Sequence, residues 1–272
     1  MDSTAIKEIG DNAAARHINE LLVGRDSDVV VVPGGYSLQD LEKYNDHRRN
    51  FRCVFNTKSV AEFAEYVNEH KDHETRVLID TDNMSATAVF DLGSVQTPGH
   101  GLHRAVVKLT PTVEFDLVKR CVASEATSIT QQAFAEWLED WRYTLFVTEV
   151  EGSEPLEIKR VITAVRNMTV AKKSESGSSI QSLSAEKTAM EKITVNAVDA
   201  LPGYVMIRAT PFDDFSQSIF AFRVSVLTGD KPSFKLRPIG YAKEIEGIAN
   251  EFSALIKERV KDCTVRIGTI AF

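Results

Sequence analysis

RVLIDTDNMSATAVFDLG, residues 76–93, decides the fold class, because it holds two apolar runs separated by turn chemistry. Arg76–Asp80 and Thr87–Gly93 read as strands, and Thr81-Asp82-Asn83-Met84 between them is suitable turn chemistry. A third run, Ala105–Thr110, follows the loop Pro98-Gly99-His100-Gly101. Three neighbouring strands with short connections predict an antiparallel meander.

Outward from this meander the periodicity changes. Val60, Phe63, Ala64 and Val67 share one face of a helix over Val60–His70, capped by Thr57 or Ser59 behind a short strand at Cys53–Phe55. Upstream, Ile6, Ile9, Ala13, His17, Leu21 and Leu22 recur at helical spacing and Gly24 closes that element. Val29–Val32 reads as a strand ended by the turn Pro33-Gly34-Gly35, and Ser37-Leu38-Gln39-Asp40 as the start of a brief helix with the serine as cap.

Downstream, Phe115, Leu117, Val118 and Cys121 mark a helix, and Phe134, Trp137, Leu138 and Trp141 stand at i, i+3, i+4 and i+7 of another. A further helix covers Pro155–Val170. Tyr204–Thr210, Ile219–Leu227 and Phe234–Pro238 read as strands, Ala242–Val260 as an amphipathic helix and Thr264–Phe272 as a closing strand. The fold class is therefore α+β, antiparallel sheets with flanking amphipathic helices. The serine-rich stretch 173–187 is the natural hinge, dividing an N-terminal region, 1–172, from a C-terminal one, 188–272, unless the two pack as one domain.

Composition excludes several classes. At 272 residues with 43% hydrophobic and 26% charged content the chain has ordinary globular usage, and the N-terminus lacks the basic start and apolar stretch of a secretory signal. No run approaches the roughly 18 apolar residues of a membrane helix, so a cytoplasmic location with no membrane contact is expected. Cys53, Cys121 and Cys263 are widely spaced and odd in number, which leaves neither a disulfide framework nor a cysteine zinc site. The net charge of −7 is uneven: residues 1–150 hold 15 Lys+Arg against 24 Asp+Glu, and residues 151–272 hold 17 against 15. An acidic first half disfavours nonspecific nucleic-acid contact there.

Three stretches, Asn83–Ala88, Pro98–Ala105 and Phe134–Trp141, in that order and spacing and preceded by Leu41-Glu42-Lys43-Tyr44, resemble the YfdQ-like family of uncharacterised phage and prophage proteins. The resemblance is clearest over about residues 30–150. It implies a bacterial host cytoplasm and carries no catalytic residue or cofactor assignment.

Candidate chemistry is sparse. Asp80, Asp82, Asp91, His100 and His103 are residue types that hold a divalent metal, and they arrive from adjacent strands and loops. The competing reading makes Pro98–Gly101 a tight loop that a histidine ties down. His100-Gly-Leu-His103 lacks the i, i+4 spacing of a helical zinc motif, Pro33–Tyr36 lacks a phosphate-binding glycine pattern, and no nucleophile elbow is present. Phe134, Trp137, Leu138 and Trp141 have Glu136, Glu139 and Asp140 beside them, which favours a core or subunit interface over base stacking. Lys159, Arg160, Arg166, Lys172 and Lys173 form the densest basic run and, with Lys231, Lys235 and Arg237, a candidate phosphate-binding face.

The leading expectation is a non-enzymatic accessory protein that binds itself. The alternatives are a nucleic-acid-associated or host-interaction factor with a phage or host protein as partner, and a metal-dependent hydrolase using His100 and His103.

Overall fold

The structure, a computed structural model, describes residues 3–23, 29–32, 37–48, 50–168, 180–182, 201–227 and 232–270. It divides into two compact units, Met1–Cys53 and Val54–Phe272.

In the first unit, helix α1 (Ser3–Val23) precedes a hairpin of β1 (Val29–Val32) and β2 (Ser37–Asp40), paired antiparallel with Val29 opposite Asp40 and Val32 opposite Ser37. The helix expected at Ser37–Asp40 is thus a strand. Pairing with the valine strand satisfies the backbone of both segments, which outweighs the capping preference of one serine. The Asp40 carboxylate instead accepts the Glu42 N–H at 2.9 Å and starts a single 3-10 turn, Glu42–Tyr44.

The second unit contains the meander. Strands β4 (Arg76–Asp80), β5 (Ser85–Val89) and β6 (His103–Lys108) are antiparallel neighbours, flanked by β3 (Cys53–Thr57) beside β6 and by β13 (Thr264–Ile267), which runs parallel to β4. Inward-facing Val77, Ile79, Ala86, Ala88, Ala105 and Val107 are buried with Val60, Phe63, Ala64 and Val67 of α2 (Val60–His70). Ser59, one of the two caps expected, accepts the Glu62 N–H, an interaction worth about 1 kcal/mol. Asp80 closes the β4–β5 turn, accepting the backbone N–H groups of Asp82 and Asn83 and the Asn83 side-chain amide. Met84 takes a left-handed φ of 47° in that turn.

The other sheet has six strands. Its main path runs β7 (Ile129–Thr130), β12 (Ser233–Ile239), β11 (Ser218–Leu227), β10 (Tyr204–Ala209) and β8 (Leu145–Thr148), with β9 (Ile180–Ser182) also paired to β11. Strands from before and after 173–187 share this sheet: β8 pairs β10, and β7 pairs β12. The expected boundary at 173–187 therefore falls within one compact unit, and most of that stretch lies outside the described residues. Gly24, the turn Pro33–Tyr36 and Thr228–Lys231 also lie outside them.

Helices cover one face of this sheet. α3 (Val113–Ala123) and α4 (Gln131–Asp140) are capped by the Thr112 and Thr130 hydroxyls, which accept the Phe115 and Ala133 N–H groups. Phe134 stacks on Phe234 of β12 with centroids 4.5 Å apart, and Phe115 meets Phe220 of β11 at 5.4 Å. α5 (Ile158–Asn167) packs on α4 and β8, and α6 (Tyr241–Arg259) packs on α2 and β11. No helix among the described residues is long and apolar enough to cross a membrane.

Because Phe134 is fully buried between α4 and β12, Phe134→Ala is expected to lower unfolding stability by about 3–5 kcal/mol without changing secondary-structure content. A urea titration followed by circular dichroism measures this.

Candidate functional site

Three of the residues singled out for chemistry, Asp91, His100 and His103, lie in or directly after the thirteen-residue connection 90–102 between β5 and β6, at one end of the β4–β5–β6 meander. Asp91 organises that loop. Its carboxylate accepts the Leu102 and His103 N–H groups, each at 2.9 Å, while its carbonyl accepts the Gly101 N–H at 3.1 Å. A side chain at Gly99 would place its Cβ 1.9 Å from the Asp91 carbonyl oxygen, and Gly101 holds a left-handed φ of 61°. Both glycines are therefore required by local geometry.

The clamp sets His103 at the start of β6, where it is 8% exposed. Its Nε2 lies 3.0 Å from the Tyr66 hydroxyl of α2 and its ring stacks on Phe90 at 4.2 Å. Tyr66 is itself sandwiched, with Phe55 of β3 at 4.4 Å on one ring contact and His70, one helical turn later, at 4.2 Å on another. The His70 ring lies 5.6 Å from that of His103, and its Nδ1 is 3.1 Å from the Tyr66 carbonyl. A strand, a helix and a loop thus share one aromatic and imidazole ladder.

Burial, then the neighbouring His70, holds His103 below the ordinary histidine value, with Asp91 acting weakly in the opposite direction. The buried ring is accordingly neutral near pH 7, able to exchange a hydrogen bond with Tyr66 and to report acidification.

Of the five residues expected at a metal site, His103 and Asp91 meet here. His100 is exposed in the same loop. Asp80 and Asp82 sit at the opposite end of β5, about 17 Å away along a five-residue strand, because the antiparallel meander alternates its turns between two ends. Asp80 is held below its ordinary value by the Asn83 side-chain amide and then by the backbone N–H groups of the turn. Among the described residues no three His, Cys, Asp or Glu side chains are grouped to hold a metal ion.

The remaining candidates disperse. Phe134 and Leu138 are fully buried and Trp137 and Trp141 half-buried, all packed within the chain. Trp141 has the Arg120 guanidinium 5.9 Å over its ring. On α5, Arg160 pairs with Glu157 at 3.2 Å and Arg166 with Glu139 at 2.6 Å, while Lys159 is exposed. Lys172 and Lys173 lie outside the described residues. Among the described residues, Lys159, Arg160 and Arg166 do not group with Lys235 and Arg237, and Lys231 lies outside them. α5 lies on the buried side of the six-stranded sheet, whereas Lys235 and Arg237 alternate with the inward Phe234 and Leu236 and so project from the other side.

Cys121 is buried, which pushes its thiol up to about 11. Burial also raises Cys263. A surface groove of about 350 Å³ lies between β3 and β6, lined in part by Lys58, Val106, Lys108 and Pro111.

Sequence periodicity did not reveal Tyr66, His70, Phe55 or Phe90 as partners of His103. The available signal was the i, i+4 pair Tyr66 and His70 on α2, which sits beside the apolar stripe rather than in it.

A comparison with protein families matches residues 2–270 to the one described as "Uncharacterized conserved protein (DUF2303)". No curated protein and no solved structure matches the chain.

The unfolded chain protonates His103 near 6.5 and the folded chain only at lower pH, so between those values the unfolded state binds more protons. Stability is therefore expected to be full above pH 6.5 and to fall on acidification. His103→Gln should flatten that dependence, as read from melting temperature between pH 7 and pH 5. Gly99→Ala is expected to cost more than about 2 kcal/mol, measured by denaturant unfolding.

Proposed function

We propose, for a chain that belongs to the DUF2303 family of uncharacterized conserved proteins, a non-enzymatic role as a self-associating accessory protein. The observation that supports it is the exposure of α1. The packed side of this helix is marked by Ala15, 3% exposed, with Asp11 and Ala14 half-buried. Ile6 and Ile9, on the apolar stripe read from the sequence, are 56% and 65% exposed. Ile6 and Ala15 are nine residues apart, two and a half helical turns, and so point in opposite directions.

Most helical stability in proteins comes from packing of an apolar face, and the two isoleucines on the open side of α1 are not covered. Covering them removes apolar surface at roughly 25 cal/mol per Å². The occupant that fits is a second copy of the same helix. Its surface mixes Lys7 and Arg16 with Glu8, Asp11 and Glu20, so neither sign of charge repels an identical partner.

The phage or prophage setting and the bacterial cytoplasm rest on the resemblance carried by Asn83–Ala88, Pro98–Ala105 and Phe134–Trp141. The hydrolase reading is the weaker one, since Asp80 and Asp82 are turned away from His103.

Light scattering coupled to gel filtration tests the proposal. The parent chain is expected to run as a dimer or larger assembly, and Ile6→Glu with Ile9→Glu to run as a folded monomer. A parent chain that is monomeric at all concentrations overturns it.

A further inference from the structure

The second face of the six-stranded sheet has a composition that self-association through α1 does not explain. The helices touching this sheet meet inward-facing rings: Phe134 on Phe234, Phe115 on Phe220, and Tyr241 6.4 Å from Phe220. Alternation sends the intervening residues of β8, β10, β11 and β12 to the other face. Those outward positions hold Arg208, Arg223, Lys235 and Arg237 and no aspartate or glutamate, in a chain whose net charge is −7.

The strand register orders this face into rows. Phe146, Met206, Ala221 and Ile239 lie side by side across four strands as an apolar row. Arg223 and Arg237 are paired opposite each other on one side of it, and Arg208 lies on the other side, next to Ile219. The two basic positions on β10 and its partner are four residues apart along the strand direction, about 14 Å. The Arg208 guanidinium lies over the Phe146 ring at 4.2 Å, and Ile219 is 52% exposed.

Arg223 adds an independent sign of a missing partner. Among the described residues its Nε is buried without a hydrogen-bond partner, although the guanidinium lies 5.9 Å over Tyr204. Leaving a buried donor of a charged group unsatisfied is costly. Two acids lie beside this face: Glu125 is 3.7 Å from Arg237, and the Glu151 carboxylate accepts the Tyr204 hydroxyl at 3.5 Å.

We infer that this face binds single-stranded nucleic acid, with phosphates on Arg208 at one end and on the Arg223–Arg237 row at the other, and bases on the apolar row between them. A partner must supply both repeated negative charge and flat apolar surface. Single strands do so, since every base has a π-face to stack and every linkage carries a charge. An acidic polypeptide would match the guanidinium groups and leave the Phe146–Ile239 row in water. A duplex hides its base faces and would meet only one basic row.

The test uses the full chain and fluorescence anisotropy with a labelled oligothymidine of about thirty nucleotides, long enough for site sizes of 4–16 nucleotides per binding surface. Parallel arms use oligouridine, a duplex of equal length and poly-glutamate. Binding of either single strand, weakening steeply with salt, is expected. Arg208→Gln, Lys235→Gln and Arg237→Gln together should weaken it at least tenfold and reduce the slope of log affinity against log salt by about 2.

Phe146→Leu keeps every charge and should still weaken binding about fivefold or more, which separates stacking from charge if the triple variant melts early. Lys159→Gln, on α5 behind the sheet, should change nothing. Absence of binding by the parent at low salt overturns the inference. So do equal binding by the parent, the triple variant and Phe146→Leu, and poly-glutamate or duplex affinity equal to that for the single strands.

Discussion

The larger unit depends on the burial of phenylalanine between one sheet face and its helices. Phe115, Phe134, Phe220, Phe222 and Phe234 are all 2% exposed or less, and each joins a strand of the six-stranded sheet or a helix lying on it. Rings of this size bury so much area that their side of each strand is committed to the interior. Of the residues opposite, Thr148 and Tyr204 are still buried, whereas Arg208 and Arg237 are exposed. The outward positions of the same strands can carry arginine and lysine because the inward ones already hold the sheet to α3, α4 and α6.

The five-stranded sheet follows the same logic with smaller residues. Alanine and valine on β4, β5 and β6 allow α2 to approach closely, and that approach brings Tyr66 and His70 over the end of the sheet where His103 begins β6. The Asp91 clamp and the two glycines fix the loop from the other side. His103 is thereby buried for a structural reason, and its sensitivity to acid follows from burial alone. Chemistry beyond hydrogen-bond exchange would need further groups, and the meander keeps Asp80 and Asp82 at its far end.

Much of the fold was legible from local patterns. The three-strand meander, α2 with its Ser59 cap, the aromatic helix α4, the hairpin strands β11 and β12 and the amphipathic α6 were all marked by periodicity. The Ser37–Asp40 segment was misread because a serine followed by polar residues has the same local signature at a helix start and in an edge strand. Leu145–Thr148 was not read as a strand; its pairing partner, β10, lies more than fifty residues further along the chain. The α1 stripe was correct as a helix signal, yet Ile6, Ile9 and Ala13 of it face away from the packed side, since periodicity reports a stripe and not what covers it.

By itself the sequence determined the α+β class, the order of most elements and the inward faces of α2 and α3, because those depend on alternation and helical period within short windows. Tertiary structure alone decided three matters: that strands on both sides of 173–187 share one sheet, that β13 runs parallel beside β4, and that the His and Asp candidates split between two ends of the meander. These depend on pairing between segments far apart in the chain, where many registers satisfy the same local pattern. The choice falls to the packing of the whole core.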